Sequence, residues 1–148
     1  MKRKRSESPP VIAEFSLEEF VSAFDVPSGL TAWIASEPDN HEPYGLLAEV
    51  LYRQGDLDGA VETLTKALTI NPDYVLGWLN LGTMLFEQEE FDSASTALSK
   101  GLPASPDPAA TYGRLGQAHE LCDRYEEAAE AYEAALAVSD GDVSKYNP

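Results

Sequence analysis

The chain has 148 residues, room for one domain or a short repeat array. With 43% hydrophobic and 9% aromatic residues it can bury a core, and its net charge of −16 repels phosphate backbones and anionic lipid, which excludes general nucleic-acid binding through the acidic body. The one cysteine, Cys122, cannot form an internal disulfide, and no apolar run approaches the roughly 18 residues of a membrane span, so the expected setting is the cytoplasm, away from membranes.

Residues 1–14 read as a disordered basic tail. Lys2, Arg3, Lys4 and Arg5 resemble the start of a secretory signal, but Ser6 to Pro10 stand where its apolar stretch belongs. Such a basic run is also compatible with nuclear import, the alternative location, and Ser8 before Pro9 is a weak phosphorylation motif. Residues 15–40 form an N-terminal helical segment or a degenerate repeat. Ser16 and Glu19 make a capping box, and Leu17, Phe20, Val21 and Phe24 one helical stripe. Pro27 and Gly29 interrupt it, after which Leu30, Trp33 and Ile34 give a shorter helix ending near Glu37, before Pro38.

From residue 41 the chain repeats itself every 34 residues, in segments 41–74, 75–108 and 109–142. The columns align Tyr44, Trp78 and Tyr112; Leu47, Leu81 and Leu115; Ala48, Gly82 and Gly116; and Ala60, Ala94 and Ala128. Leu64, Leu98 and Tyr132 form a large-residue column, Ala67, Gly101 and Ala135 a small one, and Pro72 and Pro106 close the first two segments. Within each segment the small residues at positions eight and twenty let two antiparallel helices approach, while the fourth and twenty-fourth side chains fill the space around them. Gln54-Gly55-Asp56 supplies the first interhelical turn, and Asn71-Pro72-Asp73 stops the following helix.

This pattern resembles the tetratricopeptide repeat, with Trp78, Leu81, Gly82, Ala94, Leu98 and Pro106 as its best local match. The resemblance implies an all-α fold, a right-handed superhelical α-solenoid of antiparallel helix pairs. Three departures carry expectations of their own. His119 stands where the family prefers Tyr, and Asp140 replaces the closing Pro. Gly101 and Pro103 should end the second segment's second helix early and make its junction with the third a hinge. Residues 143–148 read as a C-terminal tail or the start of a truncated fourth repeat, with Tyr146 at its fourth position and no capping helix.

No nucleophile, base and orienting group converge, so no catalytic residue is assigned, and no cofactor or metal is expected. His119 and Cys122 are two ligands at most, too few for structural zinc. The expected function is therefore a non-catalytic interaction module or scaffold, with an adaptor segment of a larger enzyme and a self-assembling repeat protein as alternatives. By the resemblance, the first helices line a concave groove through Glu49, Tyr52 and Arg53, then Leu79, Thr83, Phe86 and Glu87, then Gln117 and Glu120, with Glu42, Gly45, Leu76, Ala110, Gly113 and Leu121 beside them. Such a groove suits a peptide or helix with apolar anchors and some basic residues. The N-terminal helices are a possible lid over part of it. The family's chaperone-tail clamp is not expected, because Gly45, Glu49, Asn80, Ala110 and Arg114 stand at its five positions and only Asn80 and Arg114 agree. Ala128, Ala131, Tyr132, Ala135 and Leu136 form a final apolar stripe, from which self-association through the C-terminal end is expected.

Overall fold

A computed structural model of the chain describes residues 28–141. The basic tail, the capping box at Ser16, the Leu17 to Phe24 stripe and Tyr146 lie outside the described residues. Every regular element among those described is helical: α1 (Ser28–Ser36), α2 (His41–Arg53), α3 (Leu57–Ile70), α4 (Val75–Glu87), α5 (Phe91–Gly101), a short 3-10 helix (Leu102–Ala104), α6 (Pro108–Leu121) and α7 (Tyr125–Ser139).

Local chemistry sets where these helices begin and end. Asn40, Asp56 and Asp107 each accept a backbone N–H of the first turn, from Glu42, Gly59 and Ala110 respectively. Between paired helices one residue adopts left-handed backbone, at Gly55 (φ 84°), Glu89 (φ 64°) and Asp123 (φ 60°), one per repeat and 34 residues apart. The second repeat's second helix does stop early, at Gly101, because Pro103 has no N–H to continue it.

The chain divides into two compact units at Tyr74 and Val75. In the first, α2 and α3 pair through Tyr44, Leu47, Ala48, Leu51, Ala60, Leu64, Ala67 and Leu68, all buried. Leu30 and Ile34 of α1, which packs against α2, are buried as well. The Tyr44 hydroxyl donates to the Pro38 carbonyl at 3.1 Å.

In the second unit α4 pairs with α5 and α6 with α7, and α5 packs on α6. Leu79, Leu98, Leu115 and Ala131 form a shared cluster, with Tyr112 against it; Leu81, Ala94 and Ala128 are also buried. The eighth-position glycines face the twenty-fourth side chains: a Cβ on Gly82 would lie 2.7 Å from Leu98 Cγ, and one on Gly116 would lie 2.6 Å from Tyr132 Cε1. A Cβ on Gly101 would run into the Leu79 backbone nitrogen, so that helix end needs glycine.

Two expectations are corrected. Trp78 is only half-buried, with the Lys100 ammonium over its ring at 4.2 Å from the centroid. The junction of the second and third repeats is not a hinge, since both lie in one compact unit with a common core. Arg124, at the start of α7, fastens it: it pairs with Asp92 of α5 at 2.5 Å, donates to buried Ser95 at 2.8 Å, and donates from Nε to His119 Nδ1 of α6 at 3.1 Å.

Candidate peptide-binding surface

The first helices of the second unit, α4 and α6, bring one group of side chains together. Thr83 and Phe86 sit four and one residues before the end of α4, and Arg114 lies mid-way along α6. The Arg114 guanidinium stands 5.7 Å from the Phe86 ring centroid and donates to Thr83 Oγ1 at 3.4 Å. Thr83 Oγ1 itself donates back to the Leu79 carbonyl at 3.1 Å, which points its lone pairs outward. Phe86 also meets Phe91 edge-on at 5.2 Å, so its ring is fixed from behind and half-open in front.

Glu87, Gln117 and Glu120 are exposed around this group. Glu120 accepts a hydrogen bond from the Tyr132 hydroxyl at 2.8 Å. Burial, and then that bond, raise the Tyr132 hydroxyl above the ordinary phenol value, so it stays a donor. Leu76 and Leu121 add 46% and 58% exposed apolar side chains to the same two helices.

Leu79 does not belong to this surface. It is 8% exposed in the core cluster, where Gly101 lets the chain close over it, so of these two expected groove residues only Phe86 is accessible. Arg114 joins it instead. The sequence signal for Arg114 was present, as a basic residue at a groove-adjacent position in a strongly acidic chain, but nothing in the sequence showed its stacking on Phe86.

In the first unit, Glu49 and Arg53 pair at 2.6 Å one turn apart on α2, both largely exposed, and Tyr52 is half-buried beside them. Exposed pairs of this kind add little stability. Tyr74 lies over Gly45, its hydroxyl 2.8 Å from where a Cβ would be, with the His41 ring 4.9 Å from its own. The Gly45 position is thus filled by the chain itself.

His119 Nδ1 accepts from Arg124 Nε, and no three His, Cys, Asp or Glu side chains among the described residues are grouped to hold a metal. No helix among the described residues is long and apolar enough to cross a membrane.

Comparison with known proteins bears on the fold. A crystal structure of MamA superposes with a TM-score of 0.66 at 20% identity, over 86% of this chain and 71% of that one. MamA from Desulfovibrio magneticus RS-1 gives 0.67 at 24% identity, over 78% and 65%. The second tetratricopeptide domain of Spaghetti (RPAP3), bound to the HSP90 peptide SRMEEVD, gives 0.57 at 14% identity, over 69% and 95%. The chain thus spans 65% to 71% of those two MamA chains, and the likeness is one of fold. Among curated proteins no sequence matches significantly. Family models described as tetratricopeptide repeat match residues 18–75, 51–118 and 109–141. With helix pairs recurring every 34 residues and matches running from residue 18 to 141, the chain is an α-solenoid protein of the tetratricopeptide repeat family.

Proposed function

We propose that this protein is a non-catalytic interaction module that holds a peptide or helix against α4 and α6 of its second unit. The observation that supports this most is Arg114, held between Phe86 and Thr83 with its outer donors free to face solvent. A peptide lying there places an apolar side chain on Phe86, gives backbone carbonyls to Arg114, and offers basic residues to Glu87 and Glu120. Affinity would come mainly from the aromatic contact and selectivity from the carboxylates. The RPAP3 neighbour binds an acidic peptide; such a ligand is disfavoured here, because glycine, glutamate and alanine occupy three of the five clamp positions, at Gly45, Glu49 and Ala110. The setting is read as cytoplasmic. Self-association is the weaker reading of the C-terminal end, since two copies of net charge −16 repel.

The test is to select peptides on the full chain from a random library and measure their affinities by fluorescence anisotropy. The selected peptides should share an apolar anchor and basic residues. Phe86→Ala should weaken them by about tenfold or more, at low and high salt alike. Glu87→Lys should weaken them at about 0.1 M salt and much less at about 1 M, where the Debye length is near 3 Å. If neither change weakens binding, the surface is not the binding site.

A further inference from the structure

Gly45 is an interior residue of α2, where glycine costs helix stability relative to alanine, so a compensating contact is expected at the space it leaves. The three atoms nearest to a Cβ placed there all belong to Tyr74: the hydroxyl oxygen at 2.8 Å, Cε2 at 3.2 Å and Cζ at 3.3 Å. In the next repeat the same two positions hold Leu79 and Pro108. Leu79 fills its place with its own buried side chain, and Pro108 opens α6. Glycine thus goes with tyrosine, and leucine with proline.

Tyr74 is fastened to the helix that it crosses. Asn71 Oδ1 accepts the Asp73 N–H at 3.1 Å and the Asn71 carbonyl accepts the Tyr74 N–H at 3.2 Å, so one residue closes the turn after α3. The Asn71 side-chain amide lies 3.3 Å from Nδ1 of His41, the first residue of α2, and the His41 ring stands 4.9 Å from the Tyr74 ring at 51°.

At about 100° per residue, Glu42, Gly45 and Glu49 share one stripe of α2, and the phenol ends on it. Burial first, then Glu49 and Glu42, raise the Tyr74 hydroxyl above the ordinary phenol value, so it stays a neutral donor in the field of two carboxylates. An aromatic ring seated on helix backbone, with its polar end toward carboxylates, is the pose a partner's aromatic side chain would take there.

We propose that Tyr74 is an internal ligand of the first unit: it occupies the α2 face at Gly45 in place of a partner's side chain, and that face accepts a foreign group, an aromatic with a cationic end, only when Tyr74 leaves it. The proposal is independent of the surface built on Phe86 and Arg114.

The probe is tyramine, a phenol with an ammonium arm, and its comparison is p-cresol, the same ring without the charge. Amide chemical shifts of the full chain are followed in about 0.05 M salt, where exposed carboxylates are weakly screened. In Tyr74→Ala, tyramine should bind in the millimolar range and shift His41, Glu42, Gly45 and Glu49, and p-cresol should bind at least about threefold more weakly. In the native chain and in Tyr74→Phe, which keeps the ring, neither compound should move those amides. Gly45→Ala tests the seating itself. It should raise the melting temperature by a few degrees more in Tyr74→Ala than in the native chain, because only there is the space for its Cβ free. A helical circular-dichroism spectrum for each variant separates loss of binding from loss of fold. Tyramine shifts at α2 in the native chain, no saturable shifts there in Tyr74→Ala, or an equal effect of Gly45→Ala in both backgrounds would overturn the proposal. Equal affinity for tyramine and p-cresol would overturn the cationic class of the ligand.

Discussion

Glu89 and Asp123 hold left-handed backbone without being glycine, at φ 64° and 60°, where the first repeat has Gly55. An L side chain in that conformation costs roughly 1 kcal/mol. Glu89→Gly should therefore stabilise the second unit by about 0.5 to 1 kcal/mol in urea unfolding. Asp123→Gly should gain less, because the Asp123 carboxylate accepts the Tyr125 hydroxyl at 2.8 Å. An unchanged or lowered midpoint for Glu89→Gly would mean that its side chain contributes something the turn geometry does not show. Legibility at this scale was partial. The turn at Gly55 was visible because glycine announces it, whereas the same turn at Glu89 and Asp123 was hidden by residues that only the backbone angle identifies. Leu79 misled for a related reason: its groove position came from the family pattern, while its burial comes from the close approach that Gly101 permits.

Between elements, the second unit is held by a polar contact as well as by its shared core. Burial first, and then the Arg124 cation, hold His119 below its ordinary value of 6.5, with Glu127 and Asp92 opposing. The Arg124 Nε–H needs the unprotonated Nδ1 as acceptor, so the contact belongs to neutral His119. Because the folded-state value is depressed, this stability is present above 6.5 and is lost as pH falls through the folded value. Melting of the full chain should show a loss in the second unit as pH falls below 6.5 that His119→Gln, which keeps an acceptor and cannot titrate there, flattens. An identical pH profile for the variant would remove His119 from the account.

The turn between α2 and α3 behaves oppositely. Burial, with Asp56 and Asp58 adding repulsion, raises Glu62, and burial raises Asp56 as well. Raised carboxyl values mean that stability is fully present below the ordinary values of 4.5 and 3.8 and is lost as pH rises through the folded ones. Glu62→Gln should thus raise the melting temperature of the first unit at pH 7, with the gain fading toward pH 4; no gain at pH 7 would show that the repulsion is relieved by solvent. The helix pairs themselves were legible from the 34-residue columns, because small residues at fixed spacing leave few ways to pack. The Arg124 contacts were not, since they join residues 5, 29 and 32 apart with no repeating signature.

At the scale of the whole molecule, the repeat period carries the fold class and the family directly from the sequence, because each segment is a helix pair of fixed length and only stacking buries its faces. The expected hinge did not follow in the same way. Pro103 ends a helix, but a helix end loosens a junction only if nothing else crosses it, and there Leu79, Leu98 and Leu115 share one core. Function is less legible still, because a repeat's outward residues are free of the packing constraints that make its inward ones periodic. Arg114 illustrates this: the clamp pattern matched its residue type alone, and its setting against Phe86 and Thr83 is visible only in the structure.

The account stands on the claim that the second unit binds a peptide through α4 and α6. Amide chemical-shift mapping of the full chain, titrated with a library-selected peptide, tests it most directly. The shifts should cluster at Thr83, Phe86, Arg114, Gln117 and Glu120, and Phe86→Ala should remove them. Shifts centred on the outer faces of α3 or α5, or a cluster that survives Phe86→Ala, would contradict it.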